Sequence, residues 1–144
     1  MKWIYKSKRV GKNGKIFSMF KFKTMQDGSD STQFGKSEYT KFGKFLRRFK
    51  IDEFPQLINV LKGEMSIFGY RPEEERTIEI IPRPIKEVLL STKPGLIDLS
   101  SLYFYDEEKI LEQSTDKLFD YWTRIKPMKI ILQIYYIQNR CWLL

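Results

Sequence analysis

Residues 3–24 combine alternating hydropathy with one tight-turn pair, and this feature limits the fold more than any other in the chain. In WIYKSKRVGKNGKIFSMFKFKT, apolar and polar residues alternate on both sides of Asn13-Gly14. Asn-Gly tolerates the positive φ angles of a tight turn, so the pattern predicts a β-hairpin. Residues 26–39, QDGSDSTQFGKSEY, are polar and rich in turn residues, and they are predicted to form an exposed loop.

At residue 40 the spacing of apolar residues becomes helical. Thr40 is suited to the N-cap of a helix that covers TKFGKFLRRFK. Phe42, Phe45, Leu46 and Phe49 share one face of this helix, and basic residues occupy its flank. The segment is therefore predicted to be an amphipathic helix with a basic side.

A second helix is predicted directly after the first. Its repeating apolar residues, at i, i+3, i+4 and i+7, are Phe54, Leu57, Ile58 and Leu61. Gly63 stands where a C-terminal cap belongs, and Pro55 is tolerated only in the first turn. Asp52 and Glu53 are thereby placed at the N-terminus of this helix.

The remainder of the chain mixes short strands with helices. MSIFGY is predicted to be a short buried strand, and LIDLSSLYF another strand. Between them, two short helical pieces are separated by Pro82 and Pro84. Residues 106–139 are predicted to be helical with an interruption at Pro127. The predicted fold class is α+β, with the hairpin and short strands packed against several amphipathic helices in one compact domain.

Length and charge limit the domain count and the partners. The 144 residues are 42% hydrophobic, which is enough for one core, so residues 1–144 are predicted to form a single domain. The formal net charge of +8 favours anionic partners. Charge by itself leaves nucleic acid, acidic lipid headgroups and a phosphorylated small molecule open.

Cysteine and histidine content excludes several kinds of site. Cys141 is the one cysteine and there is no histidine. A disulfide framework, a zinc site of Cys and His ligands, and a histidine-based triad are therefore excluded. No apolar run approaches the ~18 residues of a membrane span, and the first residues lack the apolar region of a signal peptide. We expect this chain neither to span a membrane nor to carry an export signal.

The adjacent carboxylates of Asp52 and Glu53 have two explanations. Acidic residues at a helix start satisfy free N–H groups and complement the helix dipole, with no further role. The chain also brings Arg47, Lys50 and Arg71 into the same neighbourhood. Carboxylates, several cationic side chains and a divalent metal are the groups that catalyse phosphoryl transfer.

The stretch KIDEFPQLINVLKGEMSIFGYRP resembles the core signature of the bacterial sugar transferases, the monotopic polyprenyl-phosphate phosphoglycosyl transferases. The resemblance extends upstream to RVGKNGKIFSMFKFKTM and TKFGKFLRR. Downstream it weakens to KPG and then YWTRIKPMKIILQIYYIQNR. It covers most of the 144 residues in the order of the family.

The resemblance implies a two-step transfer of a phospho-sugar from a UDP-sugar to polyprenyl (undecaprenyl) phosphate at the cytoplasmic face of the bacterial inner membrane. Asp52 would attack the phosphorus next to the sugar and carry the phospho-sugar covalently. Glu53 would help to hold Mg²⁺. Lys21, Arg47 and Arg71 would bind phosphate oxygens.

The residues themselves support these phosphate-binding roles unequally. Lys21 alternates with phenylalanines and is equally well explained as the solvent side of a strand. Arg47 is equally well explained as a solvated helix residue. Arg71 has the stronger support, because Gly69 before it and Pro72 after it indicate a fixed turn that presents a side chain.

Three departures from the family pattern bear on activity. Tyr70 stands where the family has proline before the arginine, which is expected to loosen the turn that aims Arg71. Ile97 and Asp98 replace a Thr-Gly pair where close approach to substrate is expected. Relative to the family, we also expect both ends to be truncated, so that attachment to the membrane is peripheral, through aromatic and basic surface.

Two other function classes remain as alternatives. A non-catalytic family member would bind a nucleotide-sugar or a partner protein without turnover, and the departures at Tyr70 and residues 97–98 favour it. Nucleic-acid binding rests on charge and on interspersed aromatics such as Phe17 and Phe20. It ranks third, because no RNA-binding motif is recognisable, and our prediction of partners includes no nucleic acid.

Overall fold

The structure is a computed structural model that describes residues 3–25 and 39–139. The predicted loop 26–39 lies outside these residues except for Tyr39. The strands are β1 (Ile4–Val10), β2 (Ile16–Phe22), β3 (Ser66–Phe68) and β4 (Gly95–Ile97). The helices are α1 (Lys41–Arg48), α2 (Leu57–Leu61), α3 (Glu75–Ile80), α4 (Arg83–Leu90), α5 (Leu99–Tyr103), α6 (Glu107–Glu112), α7 (Lys117–Asp120) and α8 (Lys126–Asn139). A 3-10 segment, Ile51–Gln56, precedes α2, and a π-helical segment, Tyr121–Ile125, precedes α8.

The predicted N-terminal hairpin is confirmed, with a longer turn than the Asn-Gly pair indicated. Strands β1 and β2 pair antiparallel, and the last pair is Val10 with Ile16. The connection is therefore five residues long and contains a 3-10 turn. Asn13 and Gly14 have φ angles of 56° and 78°, as expected for a pair that supplies the left-handed positions of a turn.

Helix α1 begins where the sequence predicts, but its aromatic face is not buried. The Thr40 hydroxyl accepts a hydrogen bond from the Gly43 amide at 2.8 Å, which is the predicted N-cap. Of the predicted apolar face, Leu46 is buried. The other three residues, which are more than half exposed, are Phe42, Phe45 and Phe49.

The second predicted helix forms, with its polar side buried and its apolar side exposed. Its first turn is the 3-10 segment, which contains Pro55, and α2 adds one further turn. The apolar residues whose spacing predicted this helix are exposed: Phe54, Leu57, Ile58 and Leu61. The buried residues on the opposite side include Asp52, Gln56 and Asn59. The predicted helix is confirmed at its C-terminus, where Gly63 has a φ of +74°, as expected of a capping glycine.

Strands β3 and β4 form a parallel pair that brings two distant turns together. Ser66 pairs with Gly95, and Phe68 with Ile97. The backbones approach closely at Gly69, where a Cβ would lie 2.5 Å from the Gly95 amide nitrogen, so any side chain there would separate the strands. MSIFGY is thus confirmed as a strand, although Ile67 and Phe68 are half exposed rather than buried.

The predicted strand LIDLSSLYF ends after Ile97 and continues as helix α5. The change occurs at Asp98, whose carboxylate accepts a hydrogen bond from the Ser101 amide and so caps the helix. The prediction of a strand is therefore correct for the first residues and wrong for the rest. The N-cap aspartate was the signal for a helix start.

The main core lies between β1, α3, α4 and α8. Its buried residues are Val10, Tyr70, Ile78, Ile81, Leu89 and Ile137. Helices α3 and α4 are the two short pieces that the prolines predicted. The C-terminal half is helical as predicted, but Pro127 is the second residue of α8 and does not interrupt it. The chain leaves helical structure at residues 113–116 instead.

The architecture is α+β in one compact domain with an N-terminal hairpin, which confirms the predicted fold class. Tyr70 does not loosen the chain before Arg71. It is fully buried, and its carbonyl accepts a hydrogen bond from the Gly95 amide at 2.9 Å. Among the described residues, no helix has the length and apolar content that crossing a membrane requires.

Candidate active site

Asp52 lies in the 3-10 segment with its side chain turned inward. The residue is 6% exposed. Its Oδ1 atom is buried and accepts no hydrogen bond from any described residue. Buried carboxylate oxygens are almost always paired, so an unpaired one is expected at a site that acts on a ligand rather than at a purely structural position.

The backbone before Asp52 is unusual. Lys50, which is the N-cap of the 3-10 segment, has a φ of 57° and a ψ of 18°. A residue with a side chain adopts this left-handed conformation at a cost of roughly 1–2 kcal/mol. The turn separates α1 from the 3-10 segment and lies just before the carboxylate pair. Strain of this kind is typical of functional sites.

Glu53 forms an ion pair with Lys21 of β2. The Lys21 ammonium donates a hydrogen bond to Glu53 Oε1 at 3.0 Å, and both side chains are about one-fifth exposed. Burial raises the pKa of Glu53, but the charges of Lys21 and Arg71 outweigh it and hold that pKa below its ordinary value. Burial lowers the pKa of Lys21, and the nearby Arg71 lowers it further.

Asn59 joins strand β2 to helix α2 and thereby sets the Lys21 side chain beside Glu53. The side chain is fully buried. Its amide nitrogen donates to the Ser18 carbonyl at 2.8 Å and to the Glu64 carboxylate at 2.7 Å, and its oxygen accepts from the Phe20 amide at 3.2 Å. These bonds satisfy backbone groups on the free edge of β2, which explains why the polar face of α2 is buried.

Arg71 follows strand β3 and reaches toward the start of α5. Its Nη1 donates to the Ser101 hydroxyl at 3.1 Å and lies 4.0 Å from Asp98 Oδ2. Partial burial opposes the positive charge, but the carboxylates of Glu53 and Asp98 more than offset it and raise the pKa of Arg71. The guanidinium is therefore held charged, and the Arg71 side chain is 40% exposed.

The structure brings together four of the five predicted site residues. The pKa of Lys21 responds to the charges of Asp52, Glu53 and Arg71, so all four lie within electrostatic reach. Arg47 lies on α1, with its guanidinium carbon 4.5 Å from the centre of the Tyr39 ring. Its role as a phosphate ligand stays a prediction.

Three residues that the sequence analysis did not select belong to this region. Asn59 supports β2, and Ser101 and Asp98 contact Arg71. One signal for Asn59 was available, because Asp52, Gln56 and Asn59 recur at i, i+4 and i+7, the spacing of a second, polar helix face. Nothing in the sequence indicated that Ser101 would meet Arg71, since 30 residues separate them.

A metal held by protein ligands alone does not fit this site. Within residues 3–25 and 39–139, no three acidic, His or Cys side chains cluster to hold an ion. A magnesium ion shared with substrate phosphates does fit, because Mg²⁺ is commonly bound by one or two carboxylates plus phosphate oxygens. The unpaired Asp52 Oδ1 and the adjacent Glu53 are the donors present.

Comparison with known proteins identifies the family of the chain. A protein-family model described as bacterial sugar transferase matches residues 1–144. A galactosyl transferase, CpsE, of Streptococcus agalactiae is 32% identical over 91% of this chain and 34% of its own length. The UDP-glucose:undecaprenyl-phosphate glucose-1-phosphate transferase of Caulobacter vibrioides is 31% identical over 90% of this chain and 54% of its own length.

A third relative is the UDP-N-acetylgalactosamine-undecaprenyl-phosphate N-acetylgalactosaminephosphotransferase of Aeromonas hydrophila. It is 39% identical over 57% of this chain and 21% of its own length. The chain thus spans from one-fifth to about half of the length of these three relatives. The family match, in contrast, extends over every residue of the chain. The chain belongs to the bacterial sugar transferase family.

Proposed function

We propose that this chain is the catalytic part of a phosphoglycosyl transferase that moves a phospho-sugar from a UDP-sugar to polyprenyl phosphate. The relatives in Caulobacter and Aeromonas are named for such transfers to undecaprenyl phosphate. The observation that carries the proposal is the unpaired, buried Oδ1 of Asp52 beside Glu53, Lys21 and Arg71. A carboxylate without hydrogen-bond donors is available as a nucleophile.

In the first half-reaction, a carboxylate oxygen of Asp52 forms a bond to the phosphorus next to the sugar. The bond from that phosphorus to the bridging oxygen of the diphosphate breaks, and UMP leaves with the electron pair. The product on the protein is an acyl phosphate that carries the sugar. The positive charge of Lys21 stabilises the negative charge that develops on the transferring phosphoryl group, and Arg71 binds oxygens of the diphosphate.

In the second half-reaction, a phosphate oxygen of the polyprenyl phosphate bonds to the same phosphorus. The bond to Asp52 breaks, and the carboxylate is regenerated as the polyprenyl diphosphate sugar leaves. No external base is required, because the attacking phosphate oxygen is already ionised at neutral pH. This is consistent with a chain that contains no histidine.

Glu53 is proposed as the ligand of Mg²⁺, which would neutralise charge on the substrate diphosphate. Lys21 then holds one Glu53 oxygen, which leaves the other for the ion. Arg71 and Arg47 are proposed to bind phosphate oxygens. Mg²⁺ binding has a readout that does not depend on turnover, namely a change in the midpoint of thermal unfolding of the wild type with UDP that Glu53→Gln lacks.

The acceptor implies work at the cytoplasmic face of the membrane. The exposed aromatic residues of α1 lie on a helix that also carries Lys44 and Arg48, a combination suited to the headgroup region of an anionic bilayer. Sedimentation with vesicles that contain acidic lipid tests whether the chain attaches to a membrane through α1. A purified chain that stays in the supernatant would contradict peripheral attachment through these residues.

Binding of a nucleotide-sugar without turnover is the second candidate function. One observation favours it: Glu53 and Arg71 already have partners on the protein, in Lys21 and Asp98. A covalent intermediate separates this function from the first, because binding without turnover forms none. The nucleic-acid alternative receives no support from the relatives.

The test uses the purified chain with Mg²⁺ and a set of UDP-sugars, without polyprenyl phosphate. Intact mass spectrometry detects a phospho-sugar adduct, and chromatography detects UMP. We expect both with the wild type and neither with Asp52→Asn. Asp106→Asn, an exposed carboxylate on the surface before α6, is the matched control and should behave as the wild type. Folded wild type that binds a UDP-sugar and yields neither product would support the second candidate.

A further inference from the structure

We infer that Asp98 is a positioning residue for Arg71, held in place by Ser100 and Gln133, and that it sets the affinity of the site for the substrate diphosphate. The inference rests on the proposed function for its effect on substrate. The contacts that hold Asp98 near Arg71 do not depend on which reaction the chain catalyses. Asp98 is not one of the five site residues that the sequence predicted.

The geometry places the Asp98 carboxylate between α5 and Arg71. Oδ1 accepts the Ser101 amide at 2.8 Å and also accepts the Ser100 hydroxyl. Oδ2 is directed at the guanidinium, 4.0 Å from Arg71 Nη1, and the same nitrogen donates to the Ser101 hydroxyl at 3.1 Å. Asp98 and Ser101, both at the start of α5, thus lie near the same nitrogen of Arg71.

The carboxylate is itself supported from behind. Gln133 of α8 donates a hydrogen bond to the Ser100 hydroxyl at 3.1 Å. Asp98, Ser100 and Gln133 are 4%, 0% and 2% exposed, so this chain of contacts is shielded from water. Buried polar side chains that are hydrogen-bonded to one another each keep one orientation. Here the hydrogen bonds keep the Asp98 carboxylate turned toward Arg71.

Capping of α5 does not account for this arrangement. Asp116 caps α7 through the Phe119 amide at 3.0 Å, yet no described residue holds its carboxylate from behind. A cap needs one oxygen, whereas Asp98 uses its second oxygen for the cation. Two other carboxylates near Arg71 are paired elsewhere: Glu73 with Lys126, and Glu107 with Lys129. Glu53, which also acts on the charge of Arg71, is held by Lys21, so Asp98 is the acid that lies within salt-bridge distance of Arg71 among the described residues.

The geometric test is nitrogen-edited NMR of the arginine side chains. The Arg71 signal is assigned by its absence in Arg71→Lys. In the wild type we expect slow rotation of the guanidinium, and in Asp98→Asn rotation about tenfold faster, because the amide keeps the cap but loses the charged contact. Asp116→Asn makes the same chemical change at a cap without an arginine and should leave the Arg71 signal unchanged.

The functional test measures steady-state UMP release with the UDP-sugar that the wild type uses and with polyprenyl phosphate present, so that the covalent intermediate is turned over. We expect Asp98→Asn to raise KM about tenfold while kcat changes less than about threefold, since Arg71 binds ground state and transition state alike. Ser101→Ala should act in the same direction. A purely structural role would instead lower the midpoint of thermal unfolding and leave KM unchanged.

The outcomes separate this inference from the proposed function. Equal guanidinium rotation in the wild type and Asp98→Asn would overturn the positioning role, and so would a KM that is unchanged or lower. If the wild type releases no UMP from any UDP-sugar while Asp98→Asn frees the guanidinium, the proposed function fails and the positioning role stands.

Discussion

Lys21 donates a hydrogen bond to Glu53 at 3.0 Å, and this contact connects the N-terminal hairpin to the segment that carries Asp52. The two residues are 32 positions apart, on a β-strand and a 3-10 segment. Their side chains are about one-fifth exposed, so each charge depends on the other for compensation. Loss of either partner is therefore expected to alter both stability and the charge state of the site.

Lys21→Met should move the acid limb of the rate profile to higher pH. Lys21 and Arg71 outweigh burial and lower the pKa of Glu53, so removal of Lys21 lets that pKa rise. The stability that ionised Glu53 contributes is present above its ordinary pKa of 4.5 and is lost as the pH falls through the lower folded value. Initial rates of UMP release and denaturant unfolding from pH 4 to 9 measure both effects. Lys15→Met, on the exposed turn, is the control, and an equal profile for the two variants would contradict the prediction.

Asn59→Ala should destabilise the protein far more than Leu61→Ala, although both residues are on α2. Asn59 is fully buried, and its removal leaves the Phe20 amide and the Ser18 carbonyl without their side-chain partner, at a cost of about 2–3 kcal/mol. Leu61 is 88% exposed, so its truncation should change stability by less than about 0.5 kcal/mol. Urea unfolding of the two variants measures the difference. The reverse order would show that the apolar face of α2 is the buried one.

Lys50→Gly should be more stable than Lys50→Ala by about 0.5–1 kcal/mol. Both variants lose the charge, but only glycine adopts the left-handed conformation at φ 57° without a steric penalty. The steric penalty that glycine avoids is larger than the free-energy cost of its greater conformational freedom in the unfolded chain. Thermal unfolding of the two variants measures the cost of the left-handed backbone conformation at residue 50, because both variants lack the lysine charge. Equal stability would mean that the turn before Asp52 is not held in this conformation in solution.

Tyr70→Phe should protect the protein against alkaline unfolding. Burial raises the pKa of the Tyr70 phenol above its ordinary value of 10.0, and the charge of Glu73 raises it further. Between these two pKa values the unfolded chain releases the phenol proton whereas the folded chain retains it. The free energy of unfolding therefore falls as the pH rises above about 10. Its Oη lies 3.4 Å from the Val10 carbonyl, so the hydroxyl should contribute less than about 1 kcal/mol at pH 7. Unfolding measured at pH 7 and pH 11 tests this, and a wild type that loses no more stability than Tyr70→Phe would contradict it.

Local patterns were sufficient for most secondary structure. Alternation around Asn13-Gly14 predicted the hairpin, Thr40 predicted the start of α1, and Gly63 predicted the end of α2. Such signals act over a few residues through allowed backbone angles and capping hydrogen bonds, so they survive in any tertiary context. The motif around Asp52 likewise resembles the family that the family model matches.

Tertiary structure decided which faces are buried and which charged groups meet. The apolar repeat predicted the helix α2, yet the buried side of this helix carries Asn59, because the edge of β2 needs hydrogen-bond partners. The close approach of Gly69 and Gly95 brings the turn with Arg71 to the turn with Asp98. The sequence by itself determined the helices, strands and candidate charges of this protein. Only the fold decided their pairing, because burial and Coulomb energies depend on distances between residues far apart in the chain.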